Sequence, residues 1–260
     1  MVGRLQHTGA GEVATIIVIG LLAGFLIGSV GVGGVIIVPA LTYLFGTDIQ
    51  LAIAAALMGF ILTGIVGTVR YEKKGSIQWP AARVLIAAAI PAAVAGTLMI
   101  PRVNPLLLKC LIGVLVSASG LQAILGGPAN ESASTSSLST KRLAIIGAFT
   151  SFFSTVSGTG GPLMLVPILM WQEQPVLAAI GLSQVIQLPI SIVATSTNLF
   201  IGAIDVWLGG ILAVALAVGC WFGTSAAHHL PAKALRLGVS CLLVVIGSAI
   251  VVDVSVKLYS

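Results

Sequence analysis

An all-α polytopic membrane protein, built as two homologous halves, is the fold class this sequence predicts. Three observations carry that expectation. Of the 260 residues, 58% are hydrophobic and only 7% are charged. A soluble domain carries about 25% charged residues, so hydrocarbon rather than water is the main solvent here. The apolar residues fall into eight segments, at about 13–45, 49–69, 79–100, 104–125, 143–170, 175–201, 204–227 and 231–252. Most are near the roughly 20 residues that cross a bilayer as a helix. Finally, a glycine-rich stretch is written twice. Gly28-Ser-Val-Gly31-Val-Gly33-Gly34-Val-Ile-Ile-Val-Pro39 is echoed by Ser154-Thr-Val-Ser157-Gly158-Thr159-Gly160-Gly161-Pro162-Leu-Met-Leu-Val-Pro167. Adding 127 to Gly31, Gly33 and Gly34 gives Gly158, Gly160 and Gly161. The same offset takes Gly75 to Gly202, Gly96 to Gly223 and Gly120 to Gly247, while Pro39 reaches Pro167 only with a one-residue gap. Repetition at a fixed offset is the mark of an internal duplication.

The elements follow in order. Residues 1–12 are a short polar start, and the run from Val13 is too long for a signal peptide and lacks a clear cleavage site, so a retained span is expected. Gly20, Gly24 and Gly28 recur every four residues and place a smooth helix face where a neighbour can approach. The first segment of each set of four is long and interrupted by the glycine motif, which gives about 8–10 membrane segments according to how each break is counted. The first repeat is residues 1–125, a polar linker covers 126–142, and the second repeat is 143–260. The linker is rich in Ser, Thr and Gly, as a flexible connection is. Its Asn130-Glu-Ser132 sequon reads as accidental in a cytoplasmic linker.

Charge is read as topology. The connection with Arg70, Lys73, Lys74 and Arg83 is the most basic and is expected on the cytoplasmic side. If each broken segment crosses once, both termini are cytoplasmic. If each is a helical hairpin, both termini lie outside and the halves are inverted. The contrast between basic Arg70–Gln78 and its echo at 198–205 favours inversion. The 12 Lys and Arg lie between apolar runs, not along a polar face, so nucleic acid is not an expected partner. Trp79, Trp171, Trp207 and Trp221 lie mostly at span ends, as an aromatic belt does.

The breaks carry the functional reading. A membrane helix is interrupted only where its freed backbone groups are buried in protein or face a wet cavity. Two interruptions at equivalent places in a duplicated chain point to a transporter's substrate site. A helix restarting after Gly34 or Gly161 presents free N–H groups and the positive end of its dipole, which suits an anion. Candidate substrate-binding positions are therefore Ser29, Gly31, Gly33 and Gly34 in the first copy, and Ser157, Gly158, Thr159, Gly160 and Gly161 in the second. The plainer reading is that these glycines only permit tight packing, and Pro39 and Pro167 only kink a helix. Gln184 and Gln187 lie three residues apart inside an apolar run. They either bond helix to helix or line the substrate path. Thr195, Ser196, Thr197 and Asn198 continue that segment, and Thr63 is the first-half counterpart.

Other chemistry is excluded. Cys110, Cys220 and Cys241 all fall in apolar runs with no CxxC pattern, and His228 and His229 lack metal-ligand spacing. No cofactor or metal is expected. Glu12, Asp48, Glu72, Glu131, Glu173, Asp205 and Asp253 all lie in loops or at span ends, which disfavours a proton relay through an intramembrane carboxylate. No protease, hydrolase or nucleotide-binding motif is present, so an enzyme is not expected.

These motifs resemble the TauE/SafE sulfite exporter family, also called the TSUP permeases. The family's halves each open with a motif close to G-x-G-G-G-x-x-x-V-P. Gly158-Thr-Gly160-Gly161-Pro162-Leu-Met-Leu-Val-Pro167 matches it at full length with Pro162 for the third glycine, and Gly31–Pro39 matches with one residue fewer. Gly75-Ser-Ile-Gln-Trp79 resembles a further family stretch, with an echo at Gly202–Trp207. The resemblance implies export of sulfite, an organosulfonate or a related sulfur-containing anion. It also implies a multi-pass protein of the bacterial inner membrane, with the lipid bilayer and that anion as partners and a homodimer left open. An uptake permease for such anions and a non-transporting membrane scaffold are the rival readings.

Overall fold

The computed structural model describes residues 10–31, 33–125, 138–172, 174–227 and 244, 248 and 252. Nine α-helices lie within them: α1 Ala10–Val30, α2 Gly34–Leu44, α3 Ile49–Glu72, α4 Trp79–Met99, α5 Pro105–Leu125, α6 Thr140–Ser157, α7 Pro162–Trp171, α8 Val176–Phe200 and α9 Val206–Ala226. A single 3-10 turn, Ile100–Arg102, follows α4. No strand occurs among the described residues. The linker at 126–137, the histidine pair, Cys241, Gly247, Glu173 and most of the eighth apolar segment lie outside them.

Helix limits follow local chemistry. The Asp48 carboxylate accepts the Gln50 N–H at 2.8 Å and starts α3, and Asp205 accepts the Leu208 N–H at 3.0 Å and starts α9. Two of the acids are thus N-caps that satisfy orphan donors at helix ends. The Ser139 hydroxyl does the same for α6 through the Arg142 N–H. Gly75 and Gly202 take the same left-handed φ of 68° just past α3 and α8, where a side chain is strained. The helix starts recur at one offset: adding 127 to Ile49 and Trp79 gives Val176 and Val206, and adding it to Val30 and Met99 gives the ends Ser157 and Ala226.

Helix directions come from which residues meet. Gly20, Gly24 and Gly28 of α1 lie against Ala215, Leu216 and Cys220 of α9, in ascending order on both helices. Gly59 of α3 faces Leu212 and Leu216, while Arg70 bonds Thr224 and Ser225, again ascending along α9. Gly147 faces Leu85 and the Ser151 hydroxyl donates to Ala89 O at 2.7 Å, so α6 runs parallel to α4. Gly64 faces Leu188 whereas Gly67 faces Gln184, so α8 runs antiparallel to α3. Hence α1, α3 and α9 point one way and α4, α6 and α8 the other. Arg70, Lys73, Lys74, Arg83, Lys141 and Arg142 all gather where α1, α3 and α9 finish, called here the basic end; Arg102 and Lys109 lie at the other.

Five of the described helices are long and apolar enough to cross a membrane, at Gly11–Val30, Ile49–Glu72, Trp79–Arg102, Val176–Phe200 and Val206–Ala226. The helices α2 and α7, of 11 and 10 residues, are about half a span each. Outward-facing apolar side chains such as Leu22, Ile145, Phe200 and Phe222 cover the surface. The protein is a multi-pass helical membrane protein. Inside it, α3 and α8 form the central pair, α1 packs along α9, and α4 packs along α6, so each pairing joins the first half to the second.

Small residues make these pairings possible. A Cβ added at Gly24 would run into the Leu216 carbonyl oxygen, and one at Gly223 into the Phe25 carbonyl oxygen. At Gly210 on the same α9 it would meet nothing within 4 Å. Gly24→Ala should therefore cost about 1–3 kcal/mol through overpacking of α1 on α9, while Gly210→Ala should be neutral or slightly stabilising. Thermal unfolding of the two variants in detergent checks this.

Candidate functional site at two interlocked helix breaks

Chain breaks separate α1 from α2 and α6 from α7. The first helix ends because Gly31 turns left-handed, at φ 79°, and its N–H bonds back to Leu26 O and Ile27 O. Gly158 does the same for α6, at φ 68°, with its N–H on Thr155 O and the Thr159 N–H on Ser154 O at 3.0 Å. The two copies then diverge. Gly33 has an ordinary right-handed φ of −74° and Gly34 is already helical, whereas Gly160 and Gly161 have φ of 78° and 107°. The longer second motif holds an extra left-handed stretch that the shorter first motif lacks. The second therefore needs glycine for its backbone angles, and the first for space, since a Cβ at Gly33 would stand 1.9 Å from Ala23 O.

The breaks interlock. Gly31 lies against Val166 of α7 and Ile180 of α8; Gly158 lies against Val38 of α2 and Ile53 of α3. Subtracting 127 from Ile180 gives Ile53, so the contacts are equivalent. From the breaks, α2 and α7 begin in the middle of the bundle and run toward opposite ends. Their N-termini meet: a Cβ at Gly34 would stand 2.7 Å from Thr159 O and 2.9 Å from the Phe60 ring, and one at Gly160 would stand 2.6 Å from the same ring. Phe60, fully buried, is the wall between the two starts. No sequence signal singled it out. It is the counterpart of Gln187 at the offset of 127, an aromatic ring where the other half carries an amide.

Freed backbone groups find partners inside the protein. Tyr71 OH donates to Gly28 O at 2.9 Å, and Gln184 Nε2 donates to Ile27 O at 3.1 Å. Both are carbonyls of the last turn of α1, and Ile27 O accepts the amide in addition to the Gly31 N–H. Gln187 Nε2 donates to Phe60 O at 3.3 Å and to Thr63 Oγ1. The two glutamines thus bond helix to helix, one of the two roles the sequence left open for them. The hydroxyls are mostly turned inward. Ser29 Oγ donates to Phe25 O at 2.7 Å, and Ser157 Oγ donates to Phe153 O at 2.7 Å and meets Thr159 Oγ1 at 2.9 Å. All of Ser29, Ser157 and Thr159 are buried.

Charge counting alone misplaces Arg70. It does not lie in a loop but in the last turn of α3, half-buried, donating to Thr224 Oγ1 at 3.2 Å and to Ser225 Oγ. Its guanidinium sits 4.6 Å from the Trp221 ring centroid. It ties α3 to α9 at the basic end, beside the bonded pair Tyr71 and Gly28. No group of three or more His, Cys, Asp or Glu side chains gathers among the described residues.

Comparison with known proteins bears on this architecture. Residues 16–250 match the family described as sulfite exporter TauE/SafE. The chain belongs to the TauE/SafE family. It is 24% identical over 248 residues to a probable membrane transporter protein of Methanocaldococcus jannaschii, covering 89% of this chain and 92% of that one. It is also 29% identical over 175 residues to a probable membrane transporter protein of Haemophilus influenzae, covering 64% and 66%. No solved structure matches it. The part of this TauE/SafE chain that the match spans includes both breaks and all the central helices.

Removing one partner of a buried bond leaves the other orphaned, at about 1–3 kcal/mol. Tyr71→Phe strips Gly28 O of its hydroxyl and should lower stability by that amount. Thermal unfolding in detergent, compared with Tyr43→Phe on a half-exposed ring, measures it.

Proposed function

We propose that this protein carries sulfite or a related organosulfonate anion out of the cell by alternating access around the two breaks. Its two halves are read as inverted repeats, at residues 1–125 and 143–260. The observation that carries this reading is the convergence of two helix N-termini, at Gly34 and at Gly161–Pro162, in the middle of the bundle. Each N-terminus contributes a partial positive charge and N–H groups, so two facing one point favour a small anion without a buried cationic side chain. Membership of a family described as sulfite exporters supports the choice of anion and direction. Opposed directions of equivalent helices support the inversion, since α1, α3 and α4 each run against their counterparts α6, α8 and α9.

The basic end is assigned to the cytoplasm of the inner membrane by the positive-inside rule. Both broken segments then act as hairpins, and both chain ends face outward. Asp48 and Asp205 cap helices and no acid lies mid-span among the described residues, so transport is read as running without a carboxylate relay. The potential alone drives an anion outward, at about 2.3 kcal/mol per charge per 100 mV. The binding positions are Gly31, Gly33, Gly34, Gly158, Thr159, Gly160 and Gly161. Ser29, Ser157, Gln184 and Gln187 hold the surrounding backbone.

The direct test is flux of labelled sulfite in proteoliposomes under a clamped potential, with sulfate, taurine and chloride as competitors. Saturable flux that follows the potential is expected, and folded protein that moves no sulfur anion would return the scaffold reading. Gly160→Leu should abolish flux, because its Cβ meets Phe60 and its φ is left-handed. Gly160→Ala should slow transport at least several-fold. Adding Phe60→Leu should restore part of that loss, because the ring is what the new methyl meets. No recovery in the double variant would mean that backbone strain at Gly160, not space beside Phe60, limits the site.

A further inference from the structure

One face of α8 is polar along most of its length. Gln184, Gln187, Ser191, Thr195 and Asn198 follow one another at spacings of three, four, four and three, which keeps them on a single helical face. All five are buried, none more than 6% exposed. From Gln184 to Asn198 the row rises about 20 Å, some two thirds of a hydrocarbon core of about 30 Å. It begins beside the first break, where Gln184 bonds Ile27, passes the meeting point at Gln187, and continues toward the end opposite the basic one.

Four of the five carry a buried polar atom with no hydrogen-bond partner: Gln184 Oε1, Ser191 Oγ, Thr195 Oγ1 and Asn198 Nδ2. The adjoining α6, which also touches α8, adds Thr150 Oγ1 and Ser154 Oγ in the same condition. Serine and threonine in a membrane helix ordinarily turn the hydroxyl onto the carbonyl one turn back. Thr97, Thr155, Ser157 and Thr197 do so, at 2.7–2.8 Å. Thr150, Ser154, Ser191 and Thr195 do not, and so leave their hydroxyls for something other than their own helix. An unpaired buried polar group costs about 1–3 kcal/mol, and six along one route are not retained for packing. The equivalent face of α3 reads Leu57, Phe60, Gly64, Thr68 and Tyr71, and only Thr68 Oγ1 among them is likewise unpartnered, so the continuous row belongs to α8.

We infer that the buried polar face of α8, with Thr150 and Ser154 of α6, is the track along which a small oxyanion passes between the central breaks and the end opposite the basic one. Hydroxyl and amide N–H groups donate to such an anion in turn, in place of its hydration shell. A ladder of weak neutral donors lets the ion leave each step, as a fixed cation would not. Because the continuous polar row lies on α8, the anion follows that helix past Leu57 and Phe60 of α3. The identity of the anion rests on the proposed function; the track itself does not.

The test uses the full chain in liposomes with Cys110, Cys220 and Cys241 replaced by alanine. Single cysteines at Ser191→Cys, Thr195→Cys and Asn198→Cys are compared with Leu182→Cys and Ala194→Cys, which are as deeply buried but off the track. Each is treated with water-borne 2-sulfonatoethyl methanethiosulfonate and with its trimethylammonium analogue. The track positions should react roughly tenfold faster than the controls, and faster with the sulfonate reagent than with the cationic one. Equal rates at track and control positions, or preference for the cation, would overturn the inference. Sulfite flux by the unmodified protein separates the two claims. Labelling without sulfite flux would keep the track and remove sulfite as its cargo. Flux without labelling would remove the track and keep the proposed function.

Discussion

The constraint on which this architecture depends is that a backbone group inside a bilayer must find its partner within the protein. Breaking a helix there frees carbonyls at one end and N–H groups at the next start. Water is absent, so other parts of the chain must answer them. At the end of α1 the answer comes from Tyr71 on Gly28 O and Gln184 on Ile27 O. At the end of α6 it comes locally, from the Gly158 and Thr159 N–H groups on Thr155 and Ser154. The chain therefore folds its two breaks into the deepest part of the bundle, and the rest of the helices are arranged to enclose them.

Close helix approach follows from the same need. Lipid tails are as apolar as leucine, so helices gain little by hiding apolar side chains from lipid, and contact must come from fit. Gly20, Gly24 and Gly28 on α1 and Gly219 and Gly223 on α9 let two backbones touch. Because α1 pairs with α9 and α4 with α6, the small-residue seams tie one half to the other. Each break is then held by helices of both halves, which is what brings Gly34 beside Thr159 and sets Phe60 between them.

Polar side chains divide into two kinds. One kind is spent on the fold: Arg70 on Thr224, Ser225 and Trp221, Ser151 on Ala89 O, and Gln187 on Phe60 O. The other kind, along α8 and at Thr150 and Ser154 of α6, is buried and unspent. That distinction is invisible in composition. It separates residues whose polar groups are committed to the fold from those whose polar groups are not.

The sequence by itself determined the solvent, the helical class, the family and the places where helices fail. Those depend on apolar run length, on glycine and proline, and on repetition, all of which are local or periodic. It placed Asp48 and Asp205 at span ends, where the structure shows them capping helices within three residues of themselves. Only the tertiary structure decided how the breaks relate. That Gly34 meets Thr159 with Phe60 between the two helix starts, and that Gln184 and Gln187 bond across helices, depends on chain segments more than 100 residues apart. Charge only leaned toward one set of helix directions, through the contrast between basic Arg70–Gln78 and its echo at 198–205. The order in which glycines of one helix meet residues of the next is a contact property, and no residue carries it alone.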